Sequence, residues 1–169
     1  MSSAFIDPYK AAKAKSEQRL RIAPTAMPRL LGIAENLEPI QSELEFFWDE
    51  QKRLRVTGRV STQLNLLCQR CLEPMALSLE VAVNAAVVWD EEQATQLSSE
   101  IEPWMGENER INAYELLEDE LLLALPIMPA HEQADCKGLT SFTTQPEQEP
   151  SERRKPFAGL ASLIKTTDD

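Results

Sequence analysis

Leu64-Asn-Leu-Leu-Cys-Gln-Arg-Cys-Leu-Glu-Pro-Met-Ala-Leu-Ser-Leu-Glu-Val-Ala-Val-Asn-Ala-Ala-Val-Val-Trp89 is the stretch on which the fold turns. Beyond Pro74, the residues Met75, Leu77, Leu79, Val81, Val83, Ala85, Val87 and Trp89 fall at every second position. A period of two puts them on one face of an extended strand, and a strand this long is expected to bend or carry a bulge. Before the cysteines, Leu64, Leu66 and Cys68 continue an alternation begun by Leu54, Val56 and Val60 against Arg53, Arg55, Thr57 and Arg59. Two alternating runs joined by a short polar segment predict an antiparallel hairpin with one buried face. Further toward the N-terminus, Leu44, Phe46 and Trp48 alternate with Glu45 and Phe47, and Asp49-Glu50-Gln51-Lys52 reads as the turn of a second hairpin. The core is therefore expected to be an antiparallel sheet, strongly curved or barrel-like.

Helices flank this sheet in the sequence pattern, giving an α+β fold class. Asp7 followed by Pro8 is a helix start, and the basic run to Leu20 is expected to be helical. Arg19 to Ala23 alternates as a short edge strand, and Met27 to Glu35 reads as a second brief helix. Asn112, with Glu115 three residues on, predicts the start of a helix ending at Pro126. Its face Tyr114, Leu117, Leu121 and Ala124, widened by Leu116, Leu122, Leu123 and Leu125, should pack on the sheet, while Glu118, Asp119 and Glu120 form an acidic solvent edge. Residues 90–111 show no period and read as a surface loop. From Thr140 to Glu152 the chain is polar and Pro-containing, as a disordered linker would be. An amphipathic island follows, with Phe157, Leu160, Leu163 and Ile164 at helical spacing behind Arg153-Arg154-Lys155. The organisation implied is a basic segment 1–36 packed on the core, a sheet-and-helix core 37–138, and a mostly disordered tail 139–169 with a short amphipathic motif that either folds back on its own domain or is offered to a partner.

Net charge is −11 over 169 residues. It is unevenly spread: residues 1–34 carry +4, 35–90 carry −4, 91–136 carry −11, and the remainder balances. Such a chain does not coat RNA by charge alone, because phosphate binding needs a basic surface. The acidic segment suits a strongly basic partner, although a solvated face is the commoner role of a single charge run. No stretch reaches the roughly 20 apolar residues of a membrane span, and the N-terminus lacks a secretory layout, so the expected address is the cytoplasm.

All three cysteines and the single histidine fall in two short clusters, Cys68-Gln-Arg-Cys71 and His131-Glu-Gln-Ala-Asp-Cys136. Two residues between thiolates suit a knuckle that turns both sulfurs onto one ion, and four residues between His131 and Cys136 suit a second half-site. Three sulfurs and one imidazole would close a tetrahedron around zinc, which makes the site structural and leaves no position for substrate. The alternatives are a redox pair, which would sit at a helix N-terminus, or small core cysteines.

Three motifs then carry a family resemblance: Leu67 to Pro74, Glu118 through His131 to Cys136, and Pro156-Phe-Ala-Gly-Leu-Ala-Ser-Leu163. Together and in this order they resemble the bacterial large ribosomal RNA subunit accumulation protein family (YceD-like). Lys155 stands where that family usually has asparagine. The resemblance implies a ribosome biogenesis factor that promotes accumulation or processing of large-subunit ribosomal RNA.

The expected partner is a large-subunit ribosomal protein or a precursor particle, held by protein contacts along the acidic segment. The alternative is direct binding of ribosomal RNA, through the N-terminal Lys10, Lys13, Lys15, Arg19, Arg21 and Arg29 or through Arg53, Arg55, Arg59 and Arg70. Phe157 and Leu160 are further contact candidates. Catalysis is not expected: no phosphate loop or Ser-His-Asp set is present, and successive helical positions diverge by about 100°, so Glu118, Asp119 and Glu120 cannot converge on one metal. No small-molecule substrate is implied.

Overall fold

The computed structural model describes residues 5–132, apart from 16 and 108, together with residue 136. In chain order the elements are β1 (Phe5–Ile6), α1 (Pro8–Ala14), β2 (Glu17–Ile22), α2 (Pro28–Leu31), β3 (Asn36–Leu37), β4 (Ile40–Trp48) and β5 (Leu54–Leu67). They continue with β6 (Pro74–Val88), α3 (Glu91–Thr95), β7 (Glu102–Met105), β8 (Ile111–Asn112) and α4 (Ala113–Leu123). The expected tail 139–169, including Phe157 and Leu160, lies outside the described residues.

The sheet runs β2-β4-β5-β6-β7, with β3 also paired to β5 and a separate β1-β8 pair. All these pairings are antiparallel except β6 with β7. It is an open, mixed sheet: β2 and β7 are its two edges, so the barrel-like or curled form expected from alternation does not occur. Alternation reports which face is buried and carries no information on whether the ends of a sheet meet. Nor does the long strand bulge. The β5-β6 ladder is uninterrupted from Leu54↔Val87 to Leu67↔Pro74, although the last four residues of β6, Ala85 to Val88, are buried on both faces.

One face is the core. Leu44, Phe46, Val56, Val60 and Leu64 are fully buried, with Leu79, Val83, Ala85 and Val87 of β6 beside them. Each such side chain contributes about 1.5–3 kcal/mol by leaving water. At Gly58 a Cβ would meet the Glu43 carbonyl oxygen at 2.0 Å, so only glycine fits where β4 and β5 approach. The opposite face is polar: Arg59 Nη2 meets Glu43 Oε2 at 2.6 Å and Arg19 Nε meets Glu43 Oε1 at 3.5 Å.

α1 starts as expected, with Asp7 Oδ1 accepting from the Lys10 N–H at 3.0 Å. It stops earlier, because Lys15 turns left-handed (φ 46°) and Glu17 already pairs with Glu45 in β2. Residues 90–111, expected as a loop, contain α3 and β7. Asp90 Oδ1 caps α3 by accepting from the Gln93 N–H at 2.7 Å. β7 is too short to show a period, yet it buries Trp104 near Phe46, ring centroids 6.4 Å apart.

α4 begins at Asn112, whose Oδ1 accepts from the Tyr114 N–H at 3.2 Å. It buries Ala113, Leu116, Leu117 and Leu121. Glu118, expected on the solvent edge, is buried instead. Its Oε1 accepts from the backbone N–H of Arg29 at 2.7 Å and of Leu30 at 3.1 Å, and its Oε2 from Arg29 Nε at 3.0 Å. Glu118 thereby satisfies the first turn of α2, whose own N-cap position makes no side-chain bond. Leu123, counted in the buried stripe, is 80% exposed, as are Ile127 at 99% and Met128 at 73%.

Candidate metal centre

The turn between β5 and β6 is held by its own backbone. Cys68 N–H donates to the Glu73 carbonyl at 3.0 Å, Leu72 N–H donates to the Cys68 carbonyl at 2.9 Å, and Leu72 is left-handed (φ 59°). This tight knuckle turns Cys68 and Cys71 toward the segment leaving α4. That segment is fastened by Gln69 N–H to the Pro129 carbonyl at 2.8 Å and by the Arg70 guanidinium to the His131 carbonyl.

The ligand atoms of Cys68, Cys71, His131 and Cys136 all lie within 4.8 Å of one another. Cys68 Sγ is 3.9 Å from Cys136 Sγ, and Cys71 Sγ is 3.3 Å from His131 Nδ1. None of the three cysteines forms a disulfide among the described residues. Zinc with sulfur bonds of about 2.3 Å has tetrahedral edges of about 3.8 Å, so the spacing fits that ion. His131 Nε2 sits 3.2 Å from the Pro74 carbonyl, which only accepts; the ring proton therefore belongs on Nε2, and the Nδ1 lone pair faces the sulfurs. Burial pushes the Cys68 thiol up, but hydrogen bonds from the backbone of Cys71, Arg70 and His131 and from the Cys71 side chain outweigh it and bring it from 9.0 to about 5. A sulfur so disposed is a ready thiolate ligand. The knuckle is flanked by strands and lies at no helix N-terminus, unlike a redox pair. Four residues that can hold a metal ion thus converge from two distant parts of the chain.

The family model for the large ribosomal RNA subunit accumulation protein YceD matches residues 56–164, the span that contains this cluster. The chain belongs to the YceD family. A family relative, the large ribosomal RNA subunit accumulation protein YceD of Haemophilus influenzae, is 34% identical over 163 residues, covering 94% of this chain and 93% of its own. No solved structure matches. The YceD family is named for large-subunit ribosomal RNA accumulation, and neither description names an enzyme. Among the described residues no helix is long and apolar enough to cross a membrane.

The other predicted contact residues are placed differently. Arg53 Nε meets Asp49 Oδ2 at 2.7 Å, Arg55 lies 3.8 Å from the same oxygen and donates to Asn84 Oδ1 at 2.5 Å, and Arg59 is paired with Glu43. Arg70 is turned inward to His131. Of the N-terminal cations, Lys10 pairs with Asp7, Arg19 with Glu17 and Glu43, and Arg29 with Glu118 and Asp119. What sequence reading missed is aromatic. Tyr9 stacks on Trp89 with ring centroids 5.8 Å apart at 6°, and lies 5.8 Å from Trp48 at 39°. These three rings come from α1, the end of β4 and the residue after β6, and no spacing in the chain connects them.

Proposed function

We propose that this YceD-family chain is a cytoplasmic, non-enzymatic ribosome biogenesis factor that promotes accumulation or processing of large-subunit ribosomal RNA by binding a basic large-subunit ribosomal protein or a precursor particle. The observation that carries the reading is the acidic segment 91–136, which also exposes Leu123, Ile127 and Met128 beside its carboxylates. Acidic side chains around exposed apolar ones match a basic, partly apolar partner, and large exposed apolar groups mark contact surfaces. Cys68, Cys71, His131 and Cys136 hold a structural zinc ion that secures the knuckle against the chain leaving α4. The unit 37–138 is the working core, the basic segment 1–36 packs on it, and the tail 139–169, with Phe157 and Leu160, supplies a second contact. Tagged protein recovered from growing cells at low salt should bring down a basic large-subunit component, and 0.5 M salt should release it. Recovery of no ribosomal component at low salt would sink this reading.

Direct RNA binding through Arg53, Arg55 and Arg59 is the weaker reading, since each already engages a carboxylate that would compete with phosphate.

A further inference from the structure

Four of the surface hollows among the described residues lie along the sheet and its edges. Three open on the polar face and each includes carboxylates: Glu17, Glu43 and Glu45 in one, Glu43 and Glu80 in another, Glu38 and Glu80 in the third. The fourth, of about 560 Å³, is bounded by Tyr9, Trp48, Trp89, Lys52 and Arg53 and has no acidic residue in its wall. In a chain with net charge −11, this is the exception that calls for a ligand.

Its chemistry is specific. Trp48 is 46% exposed and Tyr9 41%; because Tyr9 is already stacked on Trp89, Trp48 is the ring with surface left to offer. The residue after the Asp49-Glu50-Gln51 turn is Lys52, left-handed at φ 60° and exposed at the rim. Lys13, exposed on α1 one turn beyond Tyr9, adds a second cation on that side. Gln51 and Gln96 bring amides, which donate and accept, to the same wall. Trp89 is held from behind: a Cβ at Gly106 would meet its ring at 2.3 Å, so the indole packs closely against the glycine. A rigid ring platform with cations beside it and amides across it is what unpaired nucleotides use, the base stacking on the rings and the phosphate on the cations. A volume of this size takes one nucleotide.

We propose that this hollow binds one unpaired nucleotide of single-stranded RNA, with Trp48 as the stacking surface and Lys52 as the phosphate contact. The site is separate from the acidic segment, so the chain can hold a basic protein on one surface and touch RNA on another. No carboxylate lines the hollow, Asp49 and Asp90 standing behind Arg53 and Gln93, and this is what favours RNA over a basic peptide, which would meet Lys52 and no acid in the wall itself.

The test uses the full chain and a mixed-sequence single-stranded RNA 12-mer, followed by tryptophan fluorescence and by anisotropy of labelled RNA at 50 and 200 mM salt. Saturable quenching with salt-dependent affinity is expected, and a duplex of the same sequence should bind far more weakly. Trp48→Ala should weaken binding about ten-fold, Trp48→Phe should restore most of it, and Lys52→Glu should weaken it and flatten the salt dependence. Both side chains are exposed, so these variants should fold, as their melting curves will report. Absence of RNA binding overturns the proposal, as does binding unchanged in Trp48→Ala and Lys52→Glu. So does a hollow that captures a basic ribosomal peptide, lost in Trp48→Ala, but no RNA. The low-salt recovery of a ribosomal protein is scored in parallel with the same variants: its loss in wild type fails the acidic-surface reading, whereas RNA failure alone leaves that reading standing.

Discussion

The β5-β6 ladder has two ends, and they are built on opposite plans. At the Leu67↔Pro74 end the turn is the six residues 68–73, tied by its own backbone and to the chain leaving α4. At the Leu54↔Val87 end three aromatic rings gather around a hollow, with Trp48 and Lys52 exposed at its edge. The first end spends its chemistry on holding itself in place; the second leaves its chemistry accessible. On the proposed reading the cluster of cysteines and a histidine is a fastening, and recognition belongs to surfaces that it keeps rigid.

The knuckle end should carry the larger share of stability. Cys68→Ser should abolish binding of zinc, measured by mass spectrometry of metal content after purification without chelator, and lower the melting temperature by about 10 °C. One equivalent of zinc retained by that variant would break the comparison at this end. Next in size is Glu118→Ala, on the helix that delivers the chain to His131. It strips the Arg29 and Leu30 N–H groups of their acceptor and should cost about 2–4 kcal/mol in urea unfolding, against near-wild-type stability for Trp48→Ala. Equal losses in both variants would mean the aromatic end is structural too.

The smallest effect concerns Glu120, which sits near Glu102 of β7, the strand paired alongside the aromatic end of β6. Burial first, then the Glu102 and Asp119 charges, raise its carboxyl above the ordinary value. The folded state holds this proton more tightly than the unfolded chain, so its stabilisation is full below the unfolded pKa and is lost as pH rises through the folded one. Glu120→Gln should therefore melt slightly higher than wild type at pH 7 and equally near pH 4. A variant less stable at pH 7 would overturn the direction.

How much of this was legible in the sequence follows from how local each signal is. The alternation in β4, β5 and β6 is a property of neighbouring residues, so their pairing and buried face could be read directly. The convergence of Cys68, Cys71, His131 and Cys136 was legible because so few residue types bind zinc and all of them fell in two clusters. Glu118 was misjudged because a helical wheel sees three consecutive acids and cannot see the α2 N–H groups that one of them meets. β7 was missed because its four residues include Pro103 and only Trp104 is buried. The aromatic hollow was invisible for a stronger reason: Tyr9, Trp48 and Trp89 are each ordinary at the end of an element, and only the fold brings those ends together.

The unbroken register of β5 and β6 also sets a length. Thirteen residue steps at roughly 3.4 Å each give a ruler of about 45 Å between knuckle and hollow. With no bulge to act as a joint, the two ends keep that span whatever either one touches. A body that meets both at once must be at least that wide, which a ribosomal precursor satisfies and a short peptide does not.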